Sequence, residues 1–261
     1  MKTIIFFCVV IAITGCTHDV DLSKIIPGTY LMKSQTLNDG KKDTRYTDLK
    51  QLKIYTDKFF MYTQVNPNDS VSAFGVGTYV AGKNDSLTEN VIYSASDTSF
   101  NAEPASYHLS IELTSEGYNQ VIKDIVFDGQ KSMLTEEYNR IGTKTTSALD
   151  GVWKEIKGYS VSGTDTVEYN RTQYKAFYSG YFMFGHSVKD SSGKTRVGMG
   201  FGTFELEGNN KLMETDLNST YSIIAGQSFT IDISMDGADK YHQTITNSDG
   251  SKSIEFYERL K

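Results

Sequence analysis

Apolar and polar residues alternate along much of this chain with a period of two. Tyr107, Leu109, Ile111 and Leu113 fall on one face of an extended segment, with His108, Ser110 and Glu112 on the other. Phe229, Ile231, Ile233 and Met235 repeat the pattern later in the chain. Successive side chains of a strand point to opposite faces, so this period predicts β-strands with one buried face. Turn-forming clusters separate the runs: Asn38-Asp39-Gly40, Asn66-Pro67-Asn68-Asp69, Gly82-Lys83-Asn84-Asp85 and Asp128-Gly129 in the first half. Asp190 to Gly193, Gly208 to Asn210, Asp236-Gly237 and Asp249-Gly250 do the same in the second. No segment carries a long 3.6-residue stripe, so helices do not organise the chain.

The strands come as two copies of one series. Lys53-Ile-Tyr-Thr-Asp-Lys-Phe-Phe-Met-Tyr62 answers to Lys175-Ala-Phe-Tyr-Ser-Gly-Tyr-Phe-Met-Phe184. Gly28-Thr29-Tyr30 precedes the first and Gly151-Val152-Trp153 the second. Phe74-Gly-Val-Gly-Thr-Tyr79 and Met199-Gly-Phe-Gly-Thr-Phe204 follow, then Leu87-x-Glu89 and Leu212-x-Glu214. Each copy closes on Glu-x-Tyr-x-Arg, at Glu136, Tyr138, Arg140 and at Glu255, Tyr257, Arg259. Landmarks in one order, offset by 119 to 125 residues, identify a duplicated β module. The predicted division is 25–142 for the first module, 143–149 for a linker without apolar periodicity, and 150–261 for the second. Many short antiparallel strands in each module predict closed up-and-down barrels, because closure removes exposed edges. Gly75/Gly77 and Gly200/Gly202 clear one face of a strand and let it bend sharply.

The N-terminus changes the picture from fold to address. Lys2 precedes an apolar run from Ile4 to Ile13, which ends in Ile13-Thr14-Gly15-Cys16. The run is too short for a stable membrane span and reads as a cleaved leader over residues 1–15. The tetrapeptide resembles a bacterial lipobox, which implies acylation of Cys16 and anchoring to the cell envelope through lipid. Residues 16–24 then form a polar tether whose Asp19 and Asp21 resemble a surface-export signal or an ordinary solvated linker. The expected location is the outer membrane, facing the periplasm or the exterior. Only two cysteines exist, Cys8 and Cys16. Neither is left for a disulfide, a metal or a nucleophile. A formal net charge of -6 without any Lys/Arg stripe excludes a nucleic-acid footprint.

Gly-x-Trp near the start, the Phe-Phe-Met-Tyr strand, Gly-x-Gly-Thr-Tyr, Leu-Thr-Glu-Asn-Val and the closing Glu-x-Tyr-x-Arg together resemble the lipocalin-like (calycin-type) modules of Bacteroidetes lipoproteins. The resemblance spans nearly the whole mature chain, twice, with Tyr30 standing in copy one where copy two has Trp153. It implies two tandem lipocalin-like barrels with a ligand-sized interior, and no particular function. Asp69-Ser70-Val71, Asp85-Ser86-Leu87 and Asp165-Thr166-Val167 resemble the O-glycosylation pattern of exported proteins in the same group.

Candidate binding residues follow from the repeat. Glu136, Tyr138 and Arg140 share one face of the last strand, as do Glu255, Tyr257 and Arg259. Inside a barrel the triplet would orient a ligand's polar head. The resemblance implies instead that each arginine closes one barrel end over the first-strand aromatic, Arg140 over Tyr30 and Arg259 over Trp153. Glu89 and Glu214 occupy equivalent positions and either serve a pocket or pair with those arginines, since a buried acid needs a partner. Tyr118 with Gln120 and Tyr241 with Gln243 form a further duplicated pair, suited to hydrogen bonding with an amphipathic ligand. Tyr62 and Phe184 end the aromatic stripes (Phe59, Phe60; Tyr181, Phe182), which line a pocket or fill a core. The histidines His18, His108, His186 and His242 show no metal spacing and no equivalence between copies. Neither a nucleophile elbow nor a phosphate loop is present, and no metal or cofactor is expected. The expectation is a non-enzymatic envelope lipoprotein that binds a small hydrophobic or amphipathic ligand. Packed barrels docking a protein or glycan partner are the alternative.

Overall fold

The computed structural model describes residues 21–65, 72–83, 85–96, 100–101, 105–127, 129–145, 147–208 and 210–261. The leader, Cys16, Asp19 and the Asp69-Ser70-Val71 motif lie outside them. In the first half a single helical turn, α1 (Leu22–Ile25), precedes β1 (Gly28–Asn38), β2 (Asp43–Tyr46), β3 (Lys50–Tyr55), β4 (Phe59–Val65) and β5 (Ala73–Ala81). There follow β6 (Ser86–Ser96), β7 (Phe100–Asn101), β8 (Ala105–Leu113), β9 (Gly117–Phe127) and β10 (Gln130–Gly142). The second half contains β11 (Gly151–Ser162), β12 (Asp165–Glu168), β13 (Thr172–Tyr178), β14 (Tyr181–Lys189) and β15 (Thr195–Glu207). It ends with β16 (Lys211–Ser219), β17 (Ser228–Asp236), β18 (Lys240–Thr246) and β19 (Lys252–Arg259).

Each half closes into an eight-stranded antiparallel barrel. The first runs β1-β3-β4-β5-β6-β8-β9-β10 and returns to β1; the second runs β11-β13-β14-β15-β16-β17-β18-β19 and returns to β11. β2 and β12 are equivalent flaps on the outer ends of β1 and β11. The paired glycines mark where the barrels bend. The register slips by one residue between Val76 and Gly77, and again between Phe201 and Gly202. A Cβ on Gly77 would collide with the Asn90 carbonyl, and one on Gly202 with the Thr215 carbonyl. These are β-bulges that admit only glycine on the close side.

One end of each barrel is plugged in the same way. Ile26 and Leu149 are buried at the mouth of β1 and β11. Tyr30 donates its hydroxyl to the Ile26 carbonyl at 2.8 Å, and Trp153 donates its indole N–H to the Leu149 carbonyl at 2.7 Å. The last-strand arginine lies over that ring, Arg140 at 5.1 Å from the Tyr30 centroid and Arg259 at 4.0 Å from Trp153. Each guanidinium also ties down entry-segment carbonyls, of Ile25 in one barrel and of Ala148 and Asp150 in the other. Leu22 of the expected tether and Leu149 of the expected linker are therefore core residues of these plugs.

A third apolar cluster, beside the two barrel interiors, lies between the barrels. Outward-facing Leu52, Ile54, Met61, Phe74 and Val76 meet outward-facing Tyr174, Ala176, Met183, Met199 and Phe201 in one buried cluster. β3 touches β13, β4 touches β14 and β5 touches β15, while β4 also reaches β11 and β15, and β6 reaches β14 and β15. Gly185 is the close point, since a Cβ there would lie 2.5 Å from the Phe74 ring. Gly185→Ala should lower stability by about 1–2 kcal/mol through overpacking, read as a shift in urea midpoint. An unchanged midpoint would mean that the barrels separate freely.

Candidate functional site

β3 and β13 turn the usual polarity inside out. Their apolar residues face the other barrel, so the alternate positions, Gln51 and Lys53 or Gln173 and Lys175, point into the barrel interior. Both lysines are nearly inaccessible, and each meets a glutamate at 2.6 Å: Lys53 with Glu89, Lys175 with Glu214. The chain of contacts runs in parallel, except that Glu89 also accepts from the Tyr55 hydroxyl where the second barrel has Phe177. Lys53 reaches Gln120, which donates to Glu136 at 2.5 Å; Lys175 reaches Gln243, which donates to Glu255 at 2.8 Å. Tyr138 donates to Glu136 at 2.9 Å and Tyr257 to Glu255 at 2.6 Å, and Gln51 and Gln173 donate to those two hydroxyls. A buried charge is tolerable only when it is paired and hydrogen-bonded, and this duplicated network meets that condition.

Below the network the barrels are solid. Tyr118 packs edge-on against Tyr30 and beside Tyr138, and Tyr241 packs edge-on against Trp153 and flat on Tyr257. Above it, each barrel keeps a chamber, of about 170 Å³ in the first and about 220 Å³ in the second. Tyr62, Glu89 and Gln120 border the first; Phe184, Glu214 and Gln243 border the second. Tyr118, Tyr138, Tyr241 and Tyr257 lie beneath, and Arg140 and Arg259 sit at the plugged ends, so these six do not reach the chambers. The expected pairing of Glu89 and Glu214 with the closing arginines is also replaced. Those arginines are a barrel length away, and the lysines of β3 and β13 take the role.

The second chamber departs from the first at register-equivalent positions. Arg171 stands where the first barrel has Leu49, Glu155 where it has Met32, His186 where it has Gln64, and Asp216 where it has Val91. Arg171 bridges Glu155 at 2.9 Å and Glu255 at 2.8 Å. Burial pushes Glu155 and Glu136 above the usual carboxylate range. Burial acts on Glu255 in the same direction, but Arg171 and Lys175 outweigh it and hold that group low. His186 accepts or donates a 2.8 Å hydrogen bond with the Tyr221 hydroxyl through Nε2, while its buried Nδ1 has no partner among the described residues. Burial, reinforced by Arg171, pulls the imidazole down to about 4, so it is neutral near pH 7.

Asp216 is the least satisfied group in the chamber. It is 3% exposed, and its Oδ1 has no hydrogen-bond partner among the described residues. Burial, then the neighbouring Glu214, raises it to about 7, and Lys175 only partly opposes them. The neighbouring strand β15 carries no side chains at Gly198 and Gly200. A Cβ on Gly200 would come within 3.1 Å of Asp216 Oδ1 and 2.8 Å of the Phe184 ring, and one on Gly198 would meet His186 and Tyr221. The 220–227 turn folds over the mouth, held by Gly226 donating to the Asp216 carbonyl at 2.7 Å, and it brings Tyr221 and Ile224 onto the rim.

Sequence reasoning missed Lys53, Lys175, Gln51, Gln173, Arg171, Glu155, His186 and Asp216 as site residues. The duplicated Gln-x-Lys at 51/53 and 173/175 was a visible signal. The other four have no counterpart in copy one, so a search for repeated residues passes over them. Among the described residues no group of three or more His, Cys, Asp or Glu side chains is placed to hold a metal ion, and no helix is long and apolar enough to cross a membrane.

No family model and no curated protein matches the sequence. Among solved structures, a protein of unknown function from the DUF3598 family of Nostoc punctiforme aligns over 91% of this chain and 98% of its own, at 12% identity and a TM-score of 0.28. Likeness at that level bears on neither ligand nor chemistry. What the chain itself presents is two closed antiparallel barrels, an architecture compatible with a binding module.

Proposed function

We propose that this chain is an envelope-anchored lipoprotein of the lipocalin-like type, and that the second barrel binds a compact amphipathic ligand. The observation that supports binding is the chamber of about 220 Å³ above the second network, with Asp216 Oδ1 and His186 Nδ1 left unpartnered in its wall. Phe184, Phe229, Ile231 and Ile245 supply apolar wall on the other sides. A molecule enclosed there loses apolar surface to the wall while a few fixed polar atoms orient it. The packed-barrel alternative describes the lower half of each barrel, where aromatic rings fill the interior; the chamber in the upper half supports ligand binding. No step of this reading is catalytic. The lipocalin-like assignment is supported by the eight-strand meander and by a last-strand arginine lying over a first-strand aromatic in both copies. Anchoring is supported by Ile13-Thr14-Gly15-Cys16 and points to the outer membrane, with the barrels in the periplasm or at the surface.

Two measurements test the parts separately. Cys16→Ser should move the full chain from the detergent phase to the aqueous phase in Triton X-114 partitioning; retention in detergent would refute lipid anchoring. Native mass spectrometry of the same variant should detect a discrete small molecule, recovered on organic extraction and released on unfolding. Replacing Ile231 with Trp, which fills the chamber, should remove it. A bound mass that survives this replacement would place the ligand elsewhere.

A further inference from the structure

We propose that the second chamber is selective for a small organic cation, a protonated amine on a compact apolar body, received by the carboxylate of Asp216. This rests on the ligand-binding reading and adds the charge and the contact residue. The first support is the charge arrangement. Arg171 is committed to Glu155 and Glu255, and Lys175 to Glu214, all at 2.6–2.9 Å. An anionic ligand would have to break one of those pairs. Asp216 is the carboxylate left over, with one oxygen unpartnered and its side chain almost wholly buried. A second buried cation is what such a group lacks.

The second support is shape. Asp216 and Phe184 line the same chamber of about 220 Å³, and Gly200 on the strand between them lets the ring and the carboxylate come close together. An ammonium there meets the carboxylate on one side and an aromatic face on the other, the arrangement that favours cations over neutral groups. His186 Nδ1 offers one more hydrogen bond. The third support is the comparison within the chain. The first barrel has Val91 at the Asp216 position and Gln64 at the His186 position, while its Lys–Glu–Gln–Glu network is the same. The network therefore does not require Asp216, and the group is an addition specific to one chamber.

The test uses the full chain with Cys16→Ser and three probes of matched shape: cyclohexylammonium, cyclohexanol and cyclohexanecarboxylate, titrated calorimetrically at about pH 8. The ammonium should bind at least about tenfold more tightly than the alcohol, and the carboxylate least of all. Asp216→Asn, and Asp216→Val which copies the first barrel, should each weaken the ammonium by about a hundredfold and the alcohol by less than about tenfold. Lowering the pH through 7 should erode the ammonium preference of the parent chain and not of the variants. Glu214 on the same strand, Lys175 on β13, His186 on β14, Glu255 on β19, and Arg171 and Tyr221 at the mouth all face Asp216, so the variants are needed to isolate its proton. Equal binding of alcohol and ammonium, or an ammonium affinity indifferent to both substitutions, overturns the cation proposal and leaves ligand binding standing. Binding of none of the three overturns both.

Discussion

Lys175→Met should cost about 3–5 kcal/mol of stability in equilibrium urea denaturation at neutral pH. Met keeps the length and apolar bulk of the lysine stem, so the packing against Phe177 and Phe182 survives and the loss is electrostatic. The substitution strands Glu214, 8% exposed and otherwise dependent on the 2.6 Å contact with Nζ. An uncompensated buried charge is far worse than no charge at all. Adding Glu214→Gln to the same chain should therefore restore most of the stability. Burial already raises the Glu214 carboxyl, and removing its cation raises it further. A carboxyl raised on folding destabilises once the pH has passed its folded value, so the penalty of Lys175→Met should shrink as the solution is acidified. A penalty that is flat with pH, or that Glu214→Gln fails to relieve, would mean that the lysine acts through packing.

Asp216→Asn should do the reverse and stabilise the chain. The carboxyl rises from 3.8 to about 7 on folding, so the folded state holds its proton more tightly than the unfolded state. The stability this proton confers is complete below pH 3.8 and is lost as the pH rises through about 7. The parent chain should then gain on the order of 3 kcal/mol from the substitution at about pH 8, and almost nothing at about pH 4. Thermal melts of both chains across that range would show two curves converging in acid. Parallel curves would mean that the group is solvated in the folded state. A residue whose removal stabilises the fold is one that folding does not explain.

The strands, the turns and the duplication were legible because period-two alternation and Gly/Asx clusters report local structure directly. The interior was legible only in part. Glu89, Gln120, Glu214 and Gln243 were found because they repeat, but their partners Lys53 and Lys175 lie on strands whose apolar face points outward. Leu52, Ile54, Tyr174 and Ala176 look like core residues of their own barrels, and they are core residues of the seam between barrels. No periodicity tells a strand which of its faces a second module will cover. Asp216 was hidden for a different reason. It stands two residues after Glu214, where the first copy has Val91 two residues after Glu89, so a search for residues repeated in both copies passes over it. The closing arginines could be read from their duplicated spacing, because Tyr30 and Trp153 are their direct partners across the ladder that closes each barrel.

The seam between the barrels has a consequence for descent. The two barrels are copies of one module, joined in a single polypeptide and packed on a shared apolar seam. In a symmetric dimer every inherited change appears on both sides of the axis, so a burdensome residue is carried twice and both chambers change together. Fusion ends that coupling. One half can keep Val91 and the steadiness it brings, while the other takes Asp216 at half the cost to the whole.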